Sequence, residues 1–106
     1  MKRKFNKEHK AWRAQVLERD GNHCVMCPKD TYLNAHHLIP NTIRAYEFHV
    51  DNGITLCATH HTLGTYSAHK NPLWFSQWLK ENRPELYHLA IMRLPPVSSN
   101  SITLTG

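Results

Sequence analysis

At 106 residues the chain is sized for one domain with one modest core, and 41% hydrophobic residues argue against a wholly disordered polypeptide. No apolar run approaches the roughly 18 residues that a membrane span needs, and no apolar stretch follows the basic start as a secretion signal would require. Three cysteines beside nine histidines, in an expected intracellular, cytoplasmic setting, suit metal ligation better than a disulfide framework.

The net charge of +5 is concentrated at one end. Lys2, Arg3, Lys4, Lys7, Lys10, Arg13 and Arg19 meet only Glu8 and Glu18 within residues 1–19, and the remainder of the chain is balanced. Phe5, His9, Trp12 and Val16 recur at helical intervals, so a basic helix is expected within residues 1–20, closed by Asp20-Gly21-Asn22. Lys2, Arg3, Lys4, Lys7, Lys10 and Arg13 are candidate phosphate contacts; a solvated helix face with a basic start accounts for the same charge.

Cys24-Val25-Met26-Cys27 places two thiols at the spacing that lets both reach one tetrahedral ion at about 2.3 Å. The same spacing returns in Cys57-Ala58-Thr59-His60, with histidine last. Together Cys24, Cys27, Cys57 and His60 compose a closed Cys3His set suited to structural zinc. Three cysteines that merely fill core space would leave the repeated spacing unexplained.

Between these knuckles, Tyr32 to Ile39 is β-prone and stops at Pro40, 41–50 reads as a loop or short helical turn, and Gly53 to Cys57 is a second strand. Ala58 to Ser67 is expected to be helical despite Gly64. Asn71-Pro72 starts a further helix whose apolar face is formed by Leu73, Trp74, Phe75, Trp78 and Leu79, and Glu85 to Arg93 continues with Leu86, Leu89 and Ala90 inward. The fold class predicted is α+β. A single domain, 1–96, would divide into the N-terminal helix, a zinc-stapled ββα core over 21–68 and C-terminal helices over 71–94; Pro95-Pro96 closes it before a flexible Ser/Thr-rich tail, 97–106.

Set inside the Cys24/Cys27 and Cys57/His60 frame, His36-His37, Asn52 and His61 resemble the motif of the HNH endonucleases, the ββα-metal nucleases, in their zinc-ribbon subgroup. The likeness covers roughly residues 12–65 and is similar to the small phage or bacterial nicking enzymes of that family. It implies a divalent-metal-dependent DNA endonuclease leaving 5′-phosphate and 3′-hydroxyl ends. By the same likeness His36 and His61 match ligands of the catalytic ion, His37 matches the general base, and Asn52 matches the asparagine that holds the loop behind the base.

Some members carry another ligand four residues after the last motif histidine, where this chain has Thr65; His69 is the candidate third ligand. All-nitrogen ligands favour manganese, nickel or zinc over magnesium. Because strand side chains alternate, His36 and His37 can flank one phosphate only where the strand ends or twists. His23, His49 and His88 have no partners in the sequence and read as surface or loop histidines. The implied partner is duplex DNA, nicked on one strand with little sequence preference by a monomer that dimerises weakly if at all. The alternative is a zinc-ribbon DNA-binding or assembly module that has lost catalysis.

Overall fold

The computed structural model describes residues 5–97. Helix α1 (Phe5–Arg19) is followed by an irregular knuckle, strand β1 (Leu33–His37), a loop containing two single turns of 3-10 helix (Arg44–Tyr46 and Val50–Asn52), strand β2 (Gly53–Cys57), a π-helical turn (Thr59–Leu63), and helices α2 (Pro72–Asn82) and α3 (Pro84–Arg93). It is a small α+β domain around one two-stranded antiparallel sheet. Lys2, Arg3, Lys4 and the expected tail beyond Val97 lie outside the described residues. Among those described, no helix is long and apolar enough to cross a membrane.

Helix α1 ends where Gly21 and Asn22 take the left-handed conformation, at φ of 78° and 60°, and the Asn22 N–H returns to the Leu17 carbonyl at 2.8 Å. Asp20, buried at that corner, accepts from the Arg19 guanidinium at 2.9 and 2.8 Å, from the Thr55 N–H at 2.9 Å and from Arg83 at 3.4 Å. One carboxylate thereby joins α1, β2 and the α2–α3 junction. Burial alone would raise its pKa; Arg19, followed by Thr55, overcomes that and holds it below the usual carboxylate value.

Every residue of β2 is buried. The register pairs Leu33 with Cys57, Ala35 with Thr55, His36 with Ile54 and His37 with Gly53. Directly opposed residues share a face of the sheet, so His37, Gly53 and Thr55 look toward α1 while His36, Ile54 and Leu56 look the other way. On that second face Ile54 and Leu56 join Phe75, Leu79 and Leu86 of α2 and α3 in the core. On the first face Gly53 is required by contact: a Cβ there would stand 2.6 Å from the Trp12 ring and 2.7 Å from Val16.

Two expectations are corrected. The helix predicted over 58–67 is only the turn Thr59–Leu63, because Gly64 leaves it with extended backbone (φ −81°, ψ 159°) while its N–H closes on the Thr59 carbonyl at 2.8 Å. Leu73, assigned to the inward face of α2, is 81% exposed; Phe75 and Leu79 are buried, and Trp74 and Trp78 are half-buried. The other helix signals hold. The Asn71 side chain accepts from the Trp74 N–H at 3.3 Å with Pro72 next to it, and Arg83, forced from helical geometry by the following Pro84, separates α2 from α3.

Candidate metal and catalytic site

Cys24, Cys27, Cys57 and His60 come together as their spacing predicts, with all four donor atoms within 4.8 Å of one another. The knuckle is folded by its own backbone: the Cys24 N–H bonds the Lys29 carbonyl at 2.8 Å, and the Val25 N–H bonds Thr55 at 3.1 Å. Sγ of Cys27 and Cys57 are 3.8 Å apart, His60 Nδ1 is 3.3 Å from Cys57 Sγ, and it is 3.6 Å from Cys24 Sγ. No disulfide links the cysteines. Donors about 2.3 Å (sulfur) and about 2.1 Å (nitrogen) from a tetrahedral ion are separated by roughly 3.5–3.8 Å, so this set fits a metal ion and is consistent with zinc. Burial pushes the Cys24 thiol up. At Cys57 the backbone N–H of His60 and the neighbouring thiols outweigh burial and bring the thiol down, toward the thiolate a metal needs.

A second set is assembled from β1 and the chain that follows β2. His36, His61 and His69 also present ring nitrogens within 4.8 Å of one another. His61 and His69 approach to 3.1 Å between Nε2 atoms, and the His36 ring stands edge-on to both, at centroid distances of 5.1 and 5.0 Å. The backbone explains the arrival of His69. After the turn the chain folds back, and the N–H groups of Ala68 and His69 bond the carbonyls of His60 and His61 at 2.8 and 3.0 Å. His69, the candidate third ligand of the sequence, thus meets His36 and His61 through this backbone return.

Three imidazoles on one side of a cavity make an open donor set, with positions left for water or substrate oxygen. Burial, then the neighbouring His61 and His69, push the pKa of His36 down to about 3; burial and His69 also lower that of His61. Both rings are therefore neutral at physiological pH, the form that ligates. Thr65 is exposed and outside the set.

His37 is not part of that triad. It lies at the end of β1 on the α1 face, stacked on Trp12, and its Nε2 is 2.9 Å from the Glu47 carbonyl. A carbonyl only accepts, so Nε2 carries the proton and Nδ1 keeps its lone pair. Burial lowers its pKa, the Glu47 carbonyl partly opposes this, and His9, at 6.2 Å between ring centroids, lowers it again. His36 and His37 nevertheless line one cavity of about 580 Å³, together with His61 and His69.

Asn52, 1% exposed, belongs to neither ligand set. Its Oδ1 accepts from the Ile39 N–H at 2.8 Å, and its Nδ2 donates to the carbonyls of Ile39 and Tyr46, both at 3.1 Å. Its own carbonyl accepts from Leu38 at 3.1 Å. The side chain thus fixes the loop from which Glu47 reaches His37.

Of the basic candidates described, Lys7 and Lys10 are exposed on α1, whereas Arg13 is committed in part to the Leu33 carbonyl at 2.8 Å. His23 and His88 are exposed as expected; His49 stands near Asp51 and lends its carbonyl to Trp12 Nε1 at 2.7 Å. Sequence reasoning missed the roles of Glu47, which acts through its backbone, and of Trp12, which read only as part of an apolar stripe. No protein-family model, curated protein or solved structure matches the chain.

Proposed function

We propose that this chain is a small HNH endonuclease that hydrolyses phosphodiester bonds and nicks one strand of duplex DNA. The observation that carries the reading is the pairing of two unlike histidine arrangements on one cavity. His36, His61 and His69 form an open metal-ligand set, while His37 keeps a proton-accepting Nδ1 because its Nε2–H donates a hydrogen bond to the Glu47 carbonyl. The strand–loop–strand–turn segment that carries them would be the ββα-metal core, with its helix cut to a turn. Zinc in the Cys24/Cys27/Cys57/His60 set would staple that segment, which is too small to hold its shape alone.

In this reaction His37 Nδ1 takes a proton from a water molecule as its oxygen bonds to phosphorus. The P–O3′ bond breaks and the departing O3′ takes a proton from solvent water, leaving 5′-phosphate on one side and 3′-hydroxyl on the other. A divalent ion held by His36, His61 and His69 would supply charge relief at the phosphorane and the departing oxygen. Manganese or nickel suits three nitrogen donors better than magnesium does. Asn52 is a positioning residue: it holds the loop that orients His37. Lys7 and Lys10, with Lys2, Arg3, Lys4 and the remaining donors of Arg13, would contact phosphates along the strand without reading bases. The enzyme would act as a monomer in the cytoplasm of a bacterial or phage-infected cell.

The reading is tested by the ends it makes. An end-labelled duplex treated with protein and manganese should yield nicks that a DNA ligase reseals directly, as 5′-phosphate and 3′-hydroxyl termini allow. Nicks that reseal only after phosphatase and kinase treatment contradict it. Retarded duplex with no nick under any divalent ion favours the binding or assembly module.

A further inference from the structure

Hydrolysis at a single phosphate does not account for the whole cavity. Its volume, about 580 Å³, falls in the range of sites that enclose small organic ligands. One part of its wall is the nitrogen face of His36, His61 and His69; the rest is largely apolar and built by α2 and α3, with Phe75, Leu79, Tyr87 and Ala90 among its members. The two parts are continuous, since the Phe75 ring stands edge-on to His36 at 5.2 Å between centroids. A ligand matching both has an anionic or metal-binding head joined to a flat, mostly apolar body. Among the described residues no acidic side chain lines the cavity, so an anionic head at the histidine face meets no opposing charge.

We propose that this cavity receives one nucleoside of the substrate strand, with its phosphate at the histidine face and its base against the apolar wall of α2 and α3, where Tyr87 offers the more exposed ring. The inference rests on the endonuclease reading and narrows its substrate class. A base inside an intact duplex cannot reach such a pocket without leaving the stack, and the cost is least where the base is mismatched or already single-stranded. The preferred substrate is therefore DNA with an unpaired or weakly paired nucleotide beside the cut.

The pocket can be probed without cleavage. Protein loaded with nickel is titrated calorimetrically with thymidine 5′-monophosphate, thymidine and inorganic phosphate. The same titrations are made with Ser76→Trp, which places an indole into the cavity from an exposed position of α2. The nucleotide should bind at least about tenfold more tightly than either fragment, and the folded variant should lose that advantage while still binding phosphate. A nucleotide no tighter than phosphate overturns the proposal, as does an advantage that survives Ser76→Trp.

A parallel assay compares nicking of paired duplex and of duplex with one mismatch. Tight nucleotide binding with no cleavage of any DNA would sink the endonuclease reading and leave the nucleotide pocket standing. Equal nicking of both duplexes, with the nucleotide no tighter than phosphate, would sink the pocket and leave the endonuclease.

Discussion

The His37 ring lies flat on the Trp12 indole, with 4.0 Å between centroids and 10° between planes. The stack and the bond to the Glu47 carbonyl fix the ring in two independent ways. Trp12 is itself anchored, buried at 1% exposure, with Nε1 donating to the His49 carbonyl at 2.7 Å. Trp12→Leu should therefore slow nicking by about tenfold or more in protein that remains folded and metal-loaded, since small errors in placing a catalytic group are costly. Trp12→Phe, which keeps an aromatic face, should lose less. Plasmid nicking rates with circular dichroism controls decide it; a Leu variant as fast as wild type would show that the stack does not orient the base.

Asn52→Ala should destabilise the protein by about 2–4 kcal/mol, because the Ile39 N–H and the carbonyls of Ile39 and Tyr46 lose a buried partner. Urea unfolding of the two proteins measures this. A change within the error of the midpoint would mean that water replaces the amide.

The three-histidine set makes a prediction about acid. In the folded chain His36 titrates at about 3 instead of the ordinary 6.5. Between those values the unfolded chain takes up the proton and the folded chain does not, so acid favours unfolding. The stability is fully present above the unfolded value, declines as pH falls below it, and is gone below the folded value. For His36 alone the loss from about pH 8 to about pH 5 is about 2 kcal/mol in protein lacking the second metal, and His61 acts in the same direction. Urea midpoints should show a shallower pH dependence in His36→Gln than in wild type; parallel curves would remove His36 as the source.

Stripping the Cys3His site should unfold the knuckle and loosen β2, since Cys57 ends that strand and Val25 bonds its centre. A strong chelator should therefore lower the melting temperature by at least about 10 °C, with recovery on adding zinc. Cys57→Ser should mimic the chelated protein. A melting curve indifferent to chelator would show that the site is not a staple.

Much of this was legible because the signals are local. The repeated C-x-x-C/H spacing, Asn71-Pro72, and the β-prone run Gly53 to Cys57 each specify their own geometry, and the four knuckle ligands meet as expected. The departures come from tertiary closure. Gly64 ends the expected helix early because the chain must turn back to bond His60 and His61, and that return delivers His69 to the cavity. Leu73 fits an apolar helical pattern, but α2 is covered on only one side. Glu47 orients His37 through a carbonyl, a group every residue carries, so its side chain gives no clue to the role.

The most direct test of the central claim is conversion of supercoiled plasmid by wild type and His37→Ala, with manganese, magnesium, nickel and EDTA lanes and zinc content measured in both proteins. Wild type should yield open circles with a divalent ion and none with EDTA, while the folded, zinc-loaded variant yields none. Equal nicking by the two proteins would remove His37 as the base; an inert wild type that holds zinc and retards duplex DNA would contradict the endonuclease altogether.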